Sequence, residues 1–243
     1  DPKGVLEIAG LQENNIDLLK LAPVVIQMKD VSDMVLLDTL LNQDDRIGNI
    51  HTKVKWYNLE AGVLKEVSPT DDEAKSIDAK LAAISSKKHP GNSTEAELAQ
   101  ISAAIKPGQQ TILVREMVLK DNDCGGDVDI RTNQMRANNV LEAVTHMSPD
   151  TYVRFMKFAE AAKSGIPDAT TFFAKTALYR SNDIGTYGQT GKSLMANITK
   201  AQSILQNNCR SGKLKLDLDT DFLKKQNASP NTLMNLDTAG LCG

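Results

Sequence analysis

The sequence predicts a mainly α-helical fold, a multi-helix domain with only a few short β-strands. The strongest indication is the segment from Thr132 to Tyr179, which has the pattern of two or three successive helices and holds six of the chain's ten aromatic side chains. Because aromatic side chains bury the most apolar surface per residue, we expect the core to form where they cluster. Helix-capping motifs before other apolar segments favour the same fold class.

Length and composition limit the possible functions. The chain has 243 residues, a formal net charge of −3 and 41% hydrophobic residues. This length suits one large domain or two small ones. The nearly balanced charge argues against an extended nucleic-acid surface, and no apolar run approaches the roughly 18 residues of a membrane-spanning helix. The chain begins at Asp1 instead of Met, so we expect a processed or trimmed product.

Residues 1–106 are expected to form an N-terminal helical region. Helical spacing of apolar residues over 4–21 indicates a first helix, which Pro23 should end because proline cannot continue a helix interior. Residues 31–41 indicate a second helix. Residues 46–67 fit either a strand or a helix, since short mixed apolar runs do not distinguish the two.

Two capping boxes predict a helical hairpin at about residues 70–106. The first runs from Thr70 to Glu73 and the second from Thr94 to Glu97. In each, the threonine hydroxyl can accept from the glutamate N–H while the glutamate carboxylate accepts from the threonine N–H. Two capped helices joined by a polar loop are typical of such a hairpin.

A helical core domain is expected over residues 107–225, with a polar C-terminal tail at 226–243. Its clearest strand is Thr111 to Leu119, and Ser148-Pro149-Asp150 combines an N-cap, a first-turn proline and an acid. The helix that starts there should end near Ser164-Gly165. We further expect a loop at 181–190, a helix at 193–205 and a short half-exposed strand at 213–218.

The three cysteines suggest a disulfide. Cys124 and Cys209 both lie in polar segments followed by glycine, whereas free structural cysteines are usually buried among apolar residues. A Cys124–Cys209 bond would imply an extracytoplasmic compartment, either periplasmic or secreted. The alternative is two unpaired thiols in a reducing cytosol, and the sequence leaves the pairing of Cys242 open.

The acidic segment 121–129 is a weak candidate for calcium binding. Asp121, Asp123 and Asp129 occupy positions 1, 3 and 9 of an EF-hand-like loop, and a glycine occupies position 6. However, position 5 is also glycine, and position 12 is Thr132 instead of a bidentate glutamate. An acidic turn held by glycines explains the segment equally well, so we expect no cofactor beyond this weak calcium possibility.

Other motifs are incomplete. The segment from Gly188 to Ser193 is reminiscent of a phosphate loop, but Thr186 stands where that motif requires its first glycine. A Cys124–His146 dyad is a further possibility, although spacing alone does not establish it. His51, His89 and His146 are each expected at the surface or at a helix cap. Formal glycosylation acceptors occur at Asn92, Asn197 and Asn227.

These observations favour a non-enzymatic structural or protein-interaction component of a larger assembly. Its expected partners are other proteins, and the Asn-rich polar segments and cysteines suggest an extracytoplasmic part of a bacterial secretion or conjugation apparatus. One alternative is an enzyme with a nonstandard site near Asp121–Asp129 and Ser181–Lys192, which a pocket containing Asp127, His146 or Lys192 would favour. The other is a viral nucleocapsid-type protein, which the near-neutral charge opposes.

Overall fold

The computed structural model describes residues 3–41, 50–85, 94–105, 110–119, 140–165, 184–224 and 238–242. The helices are α1 (Val5–Ile8), α2 (Leu18–Leu41), α3 (Asp71–Ser85), α4 (Glu95–Ile105), α5 (Pro149–Gly165), α6 (Ile184–Arg210) and α7 (Thr238–Leu241), with a 3-10 turn at Phe222–Lys224. The strands are β1 (Ile50–Glu60), β2 (Val63–Val67) and β3 (Thr111–Leu119).

The predicted mainly α fold class is wrong, because the chain has a mixed α and β fold. About 61% of the described residues are helical, but the three strands form an antiparallel sheet in the order β2-β1-β3. The ambiguous segment 46–67 supplies two of these strands. They are joined by a two-residue turn in which Ala61 and Gly62 have φ of 51° and 78°. Positive φ at both positions is typical of the hairpin turn that matches the twist of paired strands.

The sheet carries helices on both faces because its side chains alternate. Tyr57, Ile112 and Val114 face a core that they share with α1 and the first half of α2. Their neighbours Trp56 and Leu113 face the opposite core, which includes buried residues of α3 and α4. Successive residues of a strand point to opposite faces, so a strand with apolar residues at consecutive positions is buried on both sides.

A third core lies among the helices. It joins the second half of α2 to α5 and α6, and Tyr152, Phe155 and Leu205 are among its buried members. Two of the clustered aromatics therefore form part of the core, as the sequence predicts. Phe172, Phe173 and Tyr179 lie outside the described residues.

Three local predictions of secondary structure are confirmed. The Thr70 N–H donates to Glu73 at 2.8 Å, and the Thr94 N–H donates to Glu97 at 2.7 Å, so both capping boxes form. The strand predicted at Thr111–Leu119 is β3, and helix α5 begins at Pro149 as its start signals indicate.

The helix break predicted at Pro23 is wrong, since α2 continues through this residue. Asp17 caps the helix by accepting the Leu19 N–H at 3.0 Å. Leu21 and Val25, on either side of the proline, are both fully buried in the core next to the sheet. Proline removes one helical hydrogen bond, and we attribute the continuity of the helix to this burial of its apolar face.

Two predictions in the second half of the chain are also corrected. The loop predicted at 181–190 is wrong from residue 184 onwards, where α6 begins. The strand predicted at 213–218 is reduced to a single bridge between Lys215 and His146. The proposed domain division stays a prediction, although β1 and β3 pair across its boundary at residue 106.

Strand β3 lies at one edge of the sheet, and side chains from two helices hydrogen-bond to its outer side. The carboxylate of Asp30 in α2 accepts the Met117 N–H at 2.7 Å, and the Ser102 hydroxyl of α4 donates to the Thr111 carbonyl. Burial raises the pKa of Asp30, and the nearby Glu116 carboxylate raises it further, while the Met117 hydrogen bond opposes the shift. A strand at the edge of a sheet otherwise presents unpaired backbone groups, and these side chains satisfy two of them.

We predict that Asp30→Asn raises the melting temperature at about pH 7.5 more than at about pH 4. A raised native pKa means that the native state binds the proton more tightly, so the contribution of Asp30 to stability falls as pH rises through that pKa. Asparagine has no charge to desolvate, and its amide oxygen can still accept the Met117 N–H. Melting curves at both pH values test this. The exposed Glu13→Gln is the control for loss of one negative charge, and an equal effect of both variants contradicts the prediction.

Candidate functional site

A buried histidine and aspartate form the centre of the candidate site. His146 Nδ1 lies 2.8 Å from Asp217 Oδ1, and the two side chains are only 5% and 10% exposed. The second carboxylate oxygen, Oδ2, accepts the Val5 N–H at 2.9 Å. Both oxygens of Asp217 are therefore hydrogen-bonded, and one carboxylate joins three segments that are far apart in sequence.

Backbone hydrogen bonds hold this pair in place. The Lys215 N–H donates to the Thr145 carbonyl at 2.8 Å, and the Met147 N–H donates back to the Lys215 carbonyl at 3.0 Å. The segments around His146 and Asp217 therefore run side by side just before α5 begins. Their geometry depends on the main chain as well as on the side chains.

The hydrogen bond to Asp217 fixes the tautomer of His146. A carboxylate can only accept, so we assign the proton of a neutral imidazole to Nδ1. This assignment leaves a lone pair on Nε2, on the opposite side of the ring. The arrangement resembles the base and orienting carboxylate of many acid–base sites, but it is equally typical of a satisfied buried histidine.

His146 lies at an open groove, which we call the α2 groove, between α2 and residues 140–146. The groove has a volume of about 440 Å³. Its walls are mostly apolar, and the described residues that line it are Gln27, Met28, Val31, Ser32, Val35, Val140, Ala143, Val144, Thr145 and His146. Among them, His146 alone is ionisable. Val31 and Val140 are 46% and 47% exposed, so each wall presents an aliphatic side chain to solvent.

The groove lacks a nucleophile paired with its base among the described residues. Ser32 and Thr145 are the lining residues with hydroxyl groups; no hydrogen bond from either to His146 is found among the described residues, and the Ser32 hydroxyl donates to the Lys29 carbonyl at 2.9 Å. A serine nucleophile needs its hydroxyl proton directed at the base. Within the described ranges, no group of three or more His, Cys, Asp or Glu side chains could hold a metal ion.

Several residues predicted from the sequence cannot be placed. Asp121, Asp123, Asp127 and Asp129 lie outside the described residues, as does Cys124. The calcium loop and the Cys124–His146 dyad therefore stay predictions. For His146 itself, the expected position at the surface or at a helix cap is wrong, because it is 6% exposed and hydrogen-bonded to Asp217.

Two other motifs do not match their structural context. The segment from Gly188 to Ser193 lies within α6, whereas a phosphate loop must precede its helix. The backbone amides of a continuous helix are engaged within it and cannot surround a phosphate. Asn197, a formal glycosylation acceptor, is buried in the same helix and its amide donates to the Leu40 carbonyl at 3.1 Å.

The predicted disulfide partner of Cys209 is corrected. Cys209 is bonded to Cys242, with 5.5 Å between their Cα atoms. Cys209 is buried in the last turn of α6, and the end of α7 brings Cys242 beside it. Arg210 Nε donates to the Cys242 carbonyl at 2.9 Å and holds the same contact. Since a cysteine forms only one disulfide, the expected Cys124–Cys209 bond is not present.

Asp217 is a member of the site that the sequence does not indicate. It lies between Leu216 and Leu218, and the alternation of apolar and charged residues predicts an exposed strand face for it. Instead it is 7% exposed. The periodicity holds no signal for this burial, because the donors that bind the Asp217 carboxylate come from residues 71 and 212 positions away.

No helix in the part of the chain that the structure describes is both long and apolar enough to cross a membrane. Comparisons of the chain with known protein families, with curated proteins and with solved structures find no match. The function must therefore be argued from the α2 groove and its surroundings.

We predict that Asp217→Ala lowers the free energy of unfolding by about 2 to 5 kcal/mol, because it leaves the Val5 N–H and His146 Nδ1–H without an acceptor. Asp217→Asn should cost less, since its amide oxygen can still accept one of these bonds. Urea denaturation measures both changes. Asp219→Asn, at a nearby partly exposed position, is the matched control, and an Asp217→Ala variant as stable as this control refutes the prediction.

Proposed function

We propose that the protein is a non-enzymatic protein-binding component of a larger assembly and that the α2 groove binds an apolar segment of a partner. The observation that carries the proposal is the pair of half-exposed valines on facing walls of an apolar groove. Contiguous exposed apolar surface is costly in water, and it commonly marks an interaction site.

The chemistry of the groove supports binding over catalysis. Its described lining contributes one ionisable side chain, and the hydroxyl of Ser32 is already donated to a backbone carbonyl. A hydrolytic site requires a nucleophile, a base and a group that stabilises developing charge. An apolar groove with one polar end instead suits an amphipathic segment of a protein.

One observation favours an enzyme as the second candidate. His146 lies in a groove and is oriented by Asp217, as a general base would be. Covalent labelling by a fluorophosphonate probe would distinguish the two proposals. Labelling that depends on His146 favours the enzyme, whereas its absence favours the binding protein.

The disulfide is consistent with an extracytoplasmic compartment. Disulfides persist in oxidising compartments and are rare in the cytosol. We therefore propose a periplasmic or secreted location, and we propose a bacterial secretion or conjugation apparatus as the assembly. The Asn-rich polar composition and the Cys209–Cys242 bond support this narrower proposal.

Site-specific photo-crosslinking tests the binding function. We expect p-benzoylphenylalanine at Val31 or Val140 to crosslink to one defined partner protein in cells of the source organism. The matched control is Leu37, which is also in α2 and 39% exposed but does not line the groove. The same product at all three positions, or no product at Val31 and Val140, contradicts the proposal.

Thiol counting tests the proposed compartment. Protein isolated from its native host and denatured without reductant should show one reactive thiol, and it should show three after reduction. Cys124→Ser should lower the first count to zero. Three reactive thiols before reduction would contradict an oxidising compartment.

Stability measurements give a second test of the disulfide. Its 33-residue separation predicts that Cys242→Ser lowers the free energy of unfolding by about 3 to 4 kcal/mol, because the unfolded chain regains loop entropy. Reductant should destabilise the wild-type protein by a similar amount and leave the variant unchanged. Equal sensitivity of both proteins to reductant would refute the prediction.

A further inference from the structure

The second ring nitrogen of His146 is a polar group of the α2 groove for which the described residues provide no hydrogen-bond partner. Nδ1 is committed to Asp217, and no hydrogen bond of Nε2 is found within the described ranges. The side chain is only 5% exposed, yet the residue lines the groove. Because the residue lines the groove and Nδ1 is bonded to Asp217, we infer that Nε2, on the opposite side of the ring, faces this mostly apolar surface.

We propose that His146 Nε2 accepts a hydrogen bond from the partner segment, and that the preferred donor is a tyrosine hydroxyl. This inference rests on the proposed binding function and specifies the chemistry of the partner. A tyrosine has an apolar ring for the walls formed by Val31, Val35 and Val144, and a hydroxyl for the base. The α2 groove, with a volume of about 440 Å³, can hold one aromatic side chain together with the adjacent residues of the partner segment.

The buried environment makes the acceptor selective. Solvent can hydrogen-bond to Nε2 while the groove is open, and a ligand that fills the groove displaces that solvent. A phenol replaces the lost hydrogen bond, but its methyl ether, which has no hydrogen-bond donor, cannot. Binding of the ether therefore leaves Nε2 buried without a hydrogen bond. The free-energy cost of that is larger than the net gain from one new hydrogen bond.

Asp217 acts as the positioning residue in this scheme. In the neutral imidazole its hydrogen bond places the proton on Nδ1, which makes Nε2 the acceptor. The Val5 N–H, bonded to the other carboxylate oxygen, limits rotation of the carboxylate. The selectivity of the groove therefore depends on a contact from the N-terminal segment.

A matched pair of probes tests the inference. We expect 4-phenylphenol to bind the wild-type protein about three- to ten-fold more tightly than 4-methoxybiphenyl, measured by NMR titration of the Val31 and Val140 methyl groups. His146→Phe should abolish this preference while keeping an apolar ring. Leu37→Gln, outside the groove, is the control and should retain it.

Two further measurements keep the test decisive if His146→Phe fails to fold. In the wild-type protein, ¹⁵N NMR of the imidazole should show a protonated Nδ1 and an unprotonated Nε2, and Nε2 should shift on addition of the phenol. Val31→Gln should weaken binding of both probes without changing their ratio.

Equal affinity for the two probes, a proton on Nε2 at neutral pH, or no binding of either probe in the groove would overturn the inference. The crosslinking experiment separates these failures from failure of the binding function. Crosslinks from Val31 and Val140 without a phenol preference would leave a protein-binding groove that does not select tyrosine. Loss of the crosslinks themselves would refute the function.

Discussion

The carboxylate of Asp217 is the contact on which the described structure most depends. Its two oxygens accept from the Val5 N–H and from His146 Nδ1, so it joins the beginning, the middle and the end of the chain in a buried position. Leu216 and Leu218, on either side of Asp217, belong to two different cores. The same short segment thus connects the helical core to the core beneath the sheet, and it places the imidazole at the α2 groove.

The features that sequence analysis predicted correctly are those that neighbouring residues determine. The capping boxes at Thr70 and Thr94 form because donor and acceptor are three residues apart, and α5 starts where a serine precedes a proline and an acid. The errors arise where distant contacts decide. Helix α2 continues through Pro23, where the flanking Leu21 and Val25 are buried. Residues 50–60, whose own pattern is ambiguous, form strand β1 by pairing with β3.

The site was less predictable than the fold for the same reason. The sequence names His146 as one residue of a pocket that an enzyme would need, but nothing near His146 in sequence indicates that Asp217 orients it. The partner of Cys209 likewise depends on how α7 returns to the end of α6, which spacing between cysteines does not reveal. Polar groups buried by tertiary contacts carry no periodic signal, because a single charge among leucines is equally compatible with a solvated strand face.

The capping of β3 by Asp30 and Ser102 has a consequence for polymerisation. With backbone groups of that strand already bonded to α2 and α4, another chain cannot pair along it without first displacing a carboxylate and a hydroxyl. At the opposite edge of the sheet, strand β2 carries the exposed charged residues Lys65 and Glu66. Fibre-like growth by strand addition is therefore hindered at both ends, at one by occupied hydrogen bonds and at the other by charge.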